Sequence, residues 1–359
     1  MLVSAFITHK KAERFSDCQD RFSINANTKS IALSDGMSQS IFQKYWAEIL
    51  VEKYTSAPEW VPNLASVKEL APTWKDKVLE IIQRQKDEGN RSAWRAERNL
   101  IDGLSAGATF LGIRFKGNQW ECDVLGDSCL ILIRDNKIAD IISSKDITVF
   151  DSYPDFFDSN PNKDGKGSPR HKTGTINSGE TILLVSDPFS DFLLKKRNTP
   201  DEAVMVDRLL GVNSHSEFEE VVENWREIGM HNDDSTLIII KQGDGDSFNV
   251  INKDDIVNLI RQERITAENL QKCETINTIH YIEDDNSSQI SEDTEIEVLS
   301  PDQPNINLAD FFNDDFFKQL ESILFRGLGG WTLSKKKKQQ KISAIINKIK
   351  KLISQKLQK

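Results

Sequence analysis

Cysteine is scarce in this 359-residue chain, which has only Cys18, Cys122, Cys129 and Cys273. None belongs to a C-x-x-C pair, which excludes a zinc ribbon, and their scatter argues against a disulfide framework, so a reducing compartment is expected. Long apolar runs are missing as well. Nothing in the sequence approaches the roughly 18 consecutive apolar residues of a membrane span. The opening, MLVSAFITHKKAERF, places charges after a short apolar start, the reverse of a secretory signal. These absences together predict a cytoplasmic protein with no transmembrane segment. No internal repeat is visible.

The residues that are present describe a globular chain. Hydrophobic residues make up 38% and charged residues 28%, a balance that supports a buried core under a solvated surface. The length accommodates one large domain with an appendage. The formal net charge is −10, but the ten lysines and no acid between Lys335 and Lys359 conceal a more acidic body. Such a body argues against specific nucleic-acid binding, which needs a basic surface to meet phosphates.

From Met1 to about Lys241, short β-rich runs (RFSI, SIALSD, ATFLGIRF, CLILIRD, TILLVSD, STLIIIK) alternate with helical patterns. Several runs are separated by hairpin-sized gaps, at Asn25 to Lys29 and at Asp135-Asn136, which predicts antiparallel pairing. Helical spacing appears in Ser40 to Tyr54, Val67 to Gln85 and Arg91 to Leu104. Helices segregated from antiparallel strands give the fold class α+β. The turn-rich stretch Asp151 to Thr175, containing SNPNKDGKGSP, reads as a flap between strands.

Beyond Gln242 the character changes. Three regions are expected: a domain over 1–242; a short helix and acidic disordered linker over 243–304; and a helical C-terminal extension over 305–359. The linker includes Glu283 to Gln303, with eight acids and no base. In the extension, Leu308, Phe312, Phe316, Leu320 and Ile323 recur at helical steps. Its last stretch carries Ile342, Ile345, Ile346, Ile349, Leu352, Ile353 and Leu357 on one stripe with lysines opposite, a basic amphipathic helix suited to docking a protein partner or an anionic surface.

Aspartates punctuate the ends of the strand-like runs. Asp20 precedes RFSI, Asp35-Gly36 follows SIAL, Asp127 lies between ECDVL and CLILI, Asp187 follows TILLV, and Asp233-Asp234 introduces STLIIIK. Taken singly, each is more economically read as a turn or strand cap. As an ordered set at strand ends they can converge on one rim, and convergent carboxylates with no matching basic residues call for a divalent cation. Oxygen-only ligands favour magnesium or manganese.

The order QD, SDG, GAT, GDS, SD-x-x-x-D, DD-x-T resembles the motif series of the PP2C (PPM) protein phosphatases, over roughly Ser4 to Lys241. Thr8-His9 followed by Cys18-Gln19-Asp20 is similar to the bacterial branch of that family. The resemblance implies a four-layer α-β-β-α sandwich of two antiparallel sheets flanked by helices. It also implies a metal-dependent phosphoserine/phosphothreonine phosphatase that acts on phosphorylated proteins opposite a Ser/Thr kinase and uses two Mn2+ or Mg2+ ions, with a weaker third. Carried over by motif, Asp35 bridges two ions, Gly36 offers its carbonyl, Asp187 and Asp233 ligate, Asp20 holds water beside the metal, and Asp127 and Asp191 hold the third ion. His9 is a candidate for protonating the leaving oxygen or contacting phosphate, against the plainer reading of a structural histidine. A cysteine-dependent mechanism is set aside, because no cysteine is followed six residues later by arginine.

The chain departs from the pattern at Asp187-Pro188, where the family has Asp-Gly, and at Met37-Ser38-Gln39-Ser40, which replaces a glycine-rich helix entry. Asp234 stands where asparagine is usual. Proline fixes φ and removes an N–H. Pro188 therefore motivates a second reading, a catalytically weakened domain acting as a phosphoprotein-binding regulatory scaffold.

Overall fold

The computed structural model describes residues 1–144, 154–243 and 247–268. The amphipathic tail, the acidic run and the helical pattern from Leu308 lie outside these residues.

One sheet is built from β1 (Leu2–Thr8), β7 (Cys129–Arg134), β8 (Lys137–Ile142), β11 (Thr181–Val185), β12 (Ser235–Lys241) and β13 (Asn249–Lys253), in the order β13-β1-β12-β11-β7-β8. A second contains β2 (Arg21–Asn25), β3 (Ser30–Ser34), β5 (Phe110–Lys116), β6 (Gln119–Leu125) and β10 (Arg170–Thr175), in the order β10-β6-β5-β3-β2. A small ladder joins β4 (Gly107–Ala108) to β9 (Phe157–Asp158). Among the described residues, all pairings of the named strands are antiparallel except the outermost, where β13 runs parallel to β1. The two-residue turn between β7 and β8 is made by Asp135 and Asn136, both left-handed (φ 51° and 56°). That is the conformation whose twist matches a tight hairpin and that Asp and Asn tolerate best.

Alternation along the strands sorts the core into layers. In β12, Ile238 and Ile240 join Val3, Ala5, Leu111, Ile113 and Leu184 between the two sheets. Leu237 and Ile239 point the other way, toward the cluster under α5 (Asp187–Lys196), α6 (Glu202–Leu210) and α7 (His215–Glu227). On the far side, α1 (Gln43–Ser56), α2 (Leu64–Lys68), α3 (Ala71–Asp87) and α4 (Ser92–Ile101) cover the second sheet through Trp46, Leu50, Tyr54, Trp74 and Phe110. The result is the α+β sandwich of four layers that the sequence led us to expect. A strand with both faces buried reads as a continuous apolar run, as STLIIIK does.

Two regions differ from the sequence reading. The pattern from Val67 to Gln85 is two helices, because Asn63 caps α2 with hydrogen bonds to the Ala65 and Ser66 amides (2.9 and 3.0 Å) and a new helix begins at Ala71, with Pro72 in its first turn. Residues 249–268, expected outside the domain, pack with it: β13 extends the first sheet and residues 256–268 are helical. Among the described residues, no helix is long and apolar enough to cross a membrane.

Candidate active site

Antiparallel pairing brings the acidic turns to one end of both sheets. Val185 at the end of β11 pairs with Cys129 at the start of β7 and with Leu237 near the start of β12. Asp187, Asp127 and Asp233 are thereby neighbours. In the second sheet Arg21 opens β2 opposite Ser34, which closes β3, so Asp20 and Asp35 share an end as well. The two ends meet across the sandwich, where Thr236 of β12 donates to Asp20 (2.7 Å) and Asp234 accepts the Gln19 N–H (2.6 Å). Asp35 is driven well above the usual carboxylate range by burial and then by Asp20, Asp187, Asp127 and Asp233. Asp187 is driven up by burial and then by Asp127, Asp233 and Asp20. Asp20 is pushed up to about 7, first by burial and next by Asp234, while its bond from Thr236 works the other way.

Each carboxylate is held by local structure. Asp35 leaves β3 with its N–H donated to Thr109 Oγ1 (3.1 Å) while its carbonyl accepts from the Thr109 N–H (2.9 Å). Gly36 bridges to Ala108, and a Cβ there would stand 2.8 to 3.0 Å from Gln43, so only glycine lets α1 approach this turn. The Asp20 carboxylate is fully buried and accepts from Thr236 Oγ1 through Oδ2 (2.7 Å). Its Oδ1 is buried with no hydrogen-bond partner.

Pro188 occupies the first turn of α5, behind Asp187 and the cap residue Ser186. There the missing N–H has no intrahelical acceptor to lose, and a fixed φ near −65° suits the helix. The turn carrying Asp187 is therefore one that proline fits.

Asp191 follows one helical turn after Asp187, and its Oδ2 pairs with Lys195 (2.5 Å) and His231 (3.4 Å). The His9 ring packs edge-on against Phe15 with centroids 4.6 Å apart, its Nδ1 lies 2.8 Å from the Lys10 carbonyl and its Nε2 3.9 Å from Glu263. Cys18 is fully buried, and burial pushes its thiol well up, the condition of an inert cysteine.

Asp234, which stands where asparagine is usual, is made an anchor by the fold. Its buried carboxylate accepts the N–H of Lys10 through Oδ1 (2.9 Å) and of Gln19 through Oδ2 (2.6 Å). The loop between β1 and β2 is thus tied at both ends to the acidic turn that opens β12. Lys10 Nζ stands 3.4 Å from Asp233 Oδ1, and Arg226 donates to the carbonyls of His9 (3.1 Å) and Asp233 (2.6 Å). A doubled acid before a buried strand was the available signal for Asp234; no local signal marks Arg226, which arrives from α7.

A family model described as Protein phosphatase 2C matches residues 9–225. The chain belongs to the protein phosphatase 2C family. It is a PP2C-type serine/threonine protein phosphatase. Similar solved structures include PppA of Pseudomonas aeruginosa (15% identity, 67% of this chain and 96% of that one, TM-score 0.42). The serine/threonine phosphatase PstP/Ppp of Mycobacterium tuberculosis is 14% identical (67% and 98%, TM-score 0.42), and that of S. agalactiae 13% (67% and 99%, TM-score 0.43). No curated protein matches. Membership in PP2C rests on the family match.

The donor set fits a hard divalent cation. All its side chains offer oxygen, burial and then neighbouring carboxylates push Asp35 and Asp187 up, and Asp20 Oδ1 is buried with a lone pair to give. Among the described residues, no three His, Cys, Asp or Glu side chains are grouped tightly enough to grip an ion.

Proposed function

We propose that this PP2C protein hydrolyses phosphoserine and phosphothreonine in proteins with the aid of bound Mn2+ or Mg2+, held by Asp35, Asp187, Asp233 and the carbonyl of Gly36. The carrying observation is the convergence of Asp20, Asp35, Asp127, Asp187 and Asp233 at the same end of the two sheets, where burial first and then neighbouring carboxylates push Asp35 and Asp187 up. Like charges confined in one place cost free energy that a divalent cation returns. When bound, such ions acidify an attacking water and neutralise phosphate oxygens.

The protein's own part is orientation. Asp35 is fixed on both sides of its backbone by Thr109, and Asp187 by the first turn of α5. Asp20, with one oxygen committed to Thr236 and the other open, is suited to orient water by hydrogen bonding. Lys10, beside Asp233, supplies a cation that can meet phosphate at the mouth of the site. His9 retains its candidacy as a proton donor only if its ring leaves Phe15.

Hydrolysis of a phosphothreonine peptide, followed with and without Mn2+ in the wild type and in Asp35→Asn, tests this reading. Turnover should require the metal and fall by at least about 10²-fold in the variant, the scale of losing a main transition-state stabiliser. Equal rates in the two proteins would reject it.

A further inference from the structure

The loop of residues 9–20 is clamped from two sides. From below, Asp234 accepts the Lys10 and Gln19 amides, and Asn232 Oδ1 accepts the Lys11 amide (2.7 Å). From above, the helical residues 256–268 supply Glu263, whose Oε2 accepts the Phe15 N–H (3.0 Å) and whose Oε1 lies 3.9 Å from His9 Nε2. This helix is itself rooted. Asp254, just before it, accepts the Ile7 N–H (2.9 Å) and bonds His215 Nδ1 (2.8 Å), while its own N–H donates to the Ala5 carbonyl (2.9 Å). Phe15 fills the angle between, touching both His9 and His215.

We infer that Glu263 is a positioning residue: through the Phe15 amide it fixes the loop that presents Gln19 and Asp20 to the metal-binding aspartates. It thereby makes the segment after β12 a determinant of metal affinity. This rests on the reading of Asp35, Asp187 and Asp233 as metal ligands. The chemistry is that of an outer partner holding a ligand-bearing loop. A backbone N–H in the irregular stretch of residues 9–20 has no ladder to join, and a carboxylate that accepts it removes a degree of freedom at the loop's midpoint. Loosening it lets Asp20 and the Asp233–Asp234 turn spread, and spread carboxylates bind a cation less tightly. By reciprocity, a bound ion must tighten the helix.

The test uses the full chain and reads metal binding by calorimetry. Glu263→Ala should weaken Mn2+ binding by about tenfold, the lower end of outer-partner effects, while Glu263→Gln, which keeps an oxygen acceptor for the Phe15 amide, should stay near wild type. Arg264→Ala, on the same helix and paired, among the described residues, with Glu268 alone, should leave affinity unchanged. In the wild type, Mn2+ should slow amide hydrogen exchange within residues 256–268, an arm that stands even where Glu263→Ala folds poorly. Wild-type affinity in Glu263→Ala, or exchange indifferent to Mn2+ in a wild type that binds it, overturns the inference alone. A wild type that binds no Mn2+ overturns it together with the metal-site reading.

Discussion

Asp187-Pro188 shows how a residue can look like damage in a motif and be ordinary in a fold. With Ser186 as cap and Asp187 opening α5, the proline stands in the first helical turn, where its ring costs no hydrogen bond. Pro188→Gly should therefore restore nothing. It should leave kcat no higher and lower stability by about 1 kcal/mol through the freer unfolded chain, as read by thermal melting beside phosphopeptide assays. A marked rise in kcat would instead favour the weakened-scaffold reading. Asp234 carries the opposite lesson. Its neighbour Asp233 was legible from the Asp-Asp-x-Thr pattern, but the use of both Asp234 oxygens by Lys10 and Gln19, 224 and 215 residues away in sequence, is a fact of topology.

Elements with strong period or full burial were legible in the sequence, and those without were not. RFSI, SIALSD, CLILIRD and STLIIIK are strands because their apolar residues face one or two cores. β10 (RHKTGT) and β13 (NVINK) are polar edge strands that expose most of their side chains, so neither carries an apolar pattern to read. Helices α5 to α7 bury one stripe each under the first sheet, where the sequence reading names no element. The attachment of β13 has a pH signature. Burial alone would lower the His215 imidazole, but its hydrogen bonds to Asp254 and Glu219 prevail and push it up to about 9 from 6.5. The folded state thus holds the proton more tightly than the unfolded one. The pair's contribution is complete below about pH 6.5 and is lost as pH rises through about 9, on the order of 2 kcal/mol. Chemical denaturation from pH 6 to 10 should show this decline in the wild type and lose most of it in His215→Asn; parallel curves would reject the assignment.

At the scale of the molecule, the sandwich solves one problem: it brings acids from distant parts of the sequence to the same end of two sheets and holds them there against their repulsion. Antiparallel pairing supplies the convergence, since Asp20 and Asp35 flank one hairpin and Asp187 and Asp233 flank neighbouring strands. The family motif made this convergence legible; the clamps on residues 9–20 were not, because Asp234, Arg226 and Glu263 reach the loop from three separate elements. The account stands on the claim that these carboxylates hold the ions that make the phosphatase work. Its most direct test is to strip the full chain with a chelator and titrate Mn2+ back, measuring bound metal and phosphate released from a phosphothreonine peptide in the same samples. Activity should be absent at the start and rise in step with occupancy, with both lost in Asp35→Asn. Undiminished phosphate release from the metal-stripped protein would contradict it.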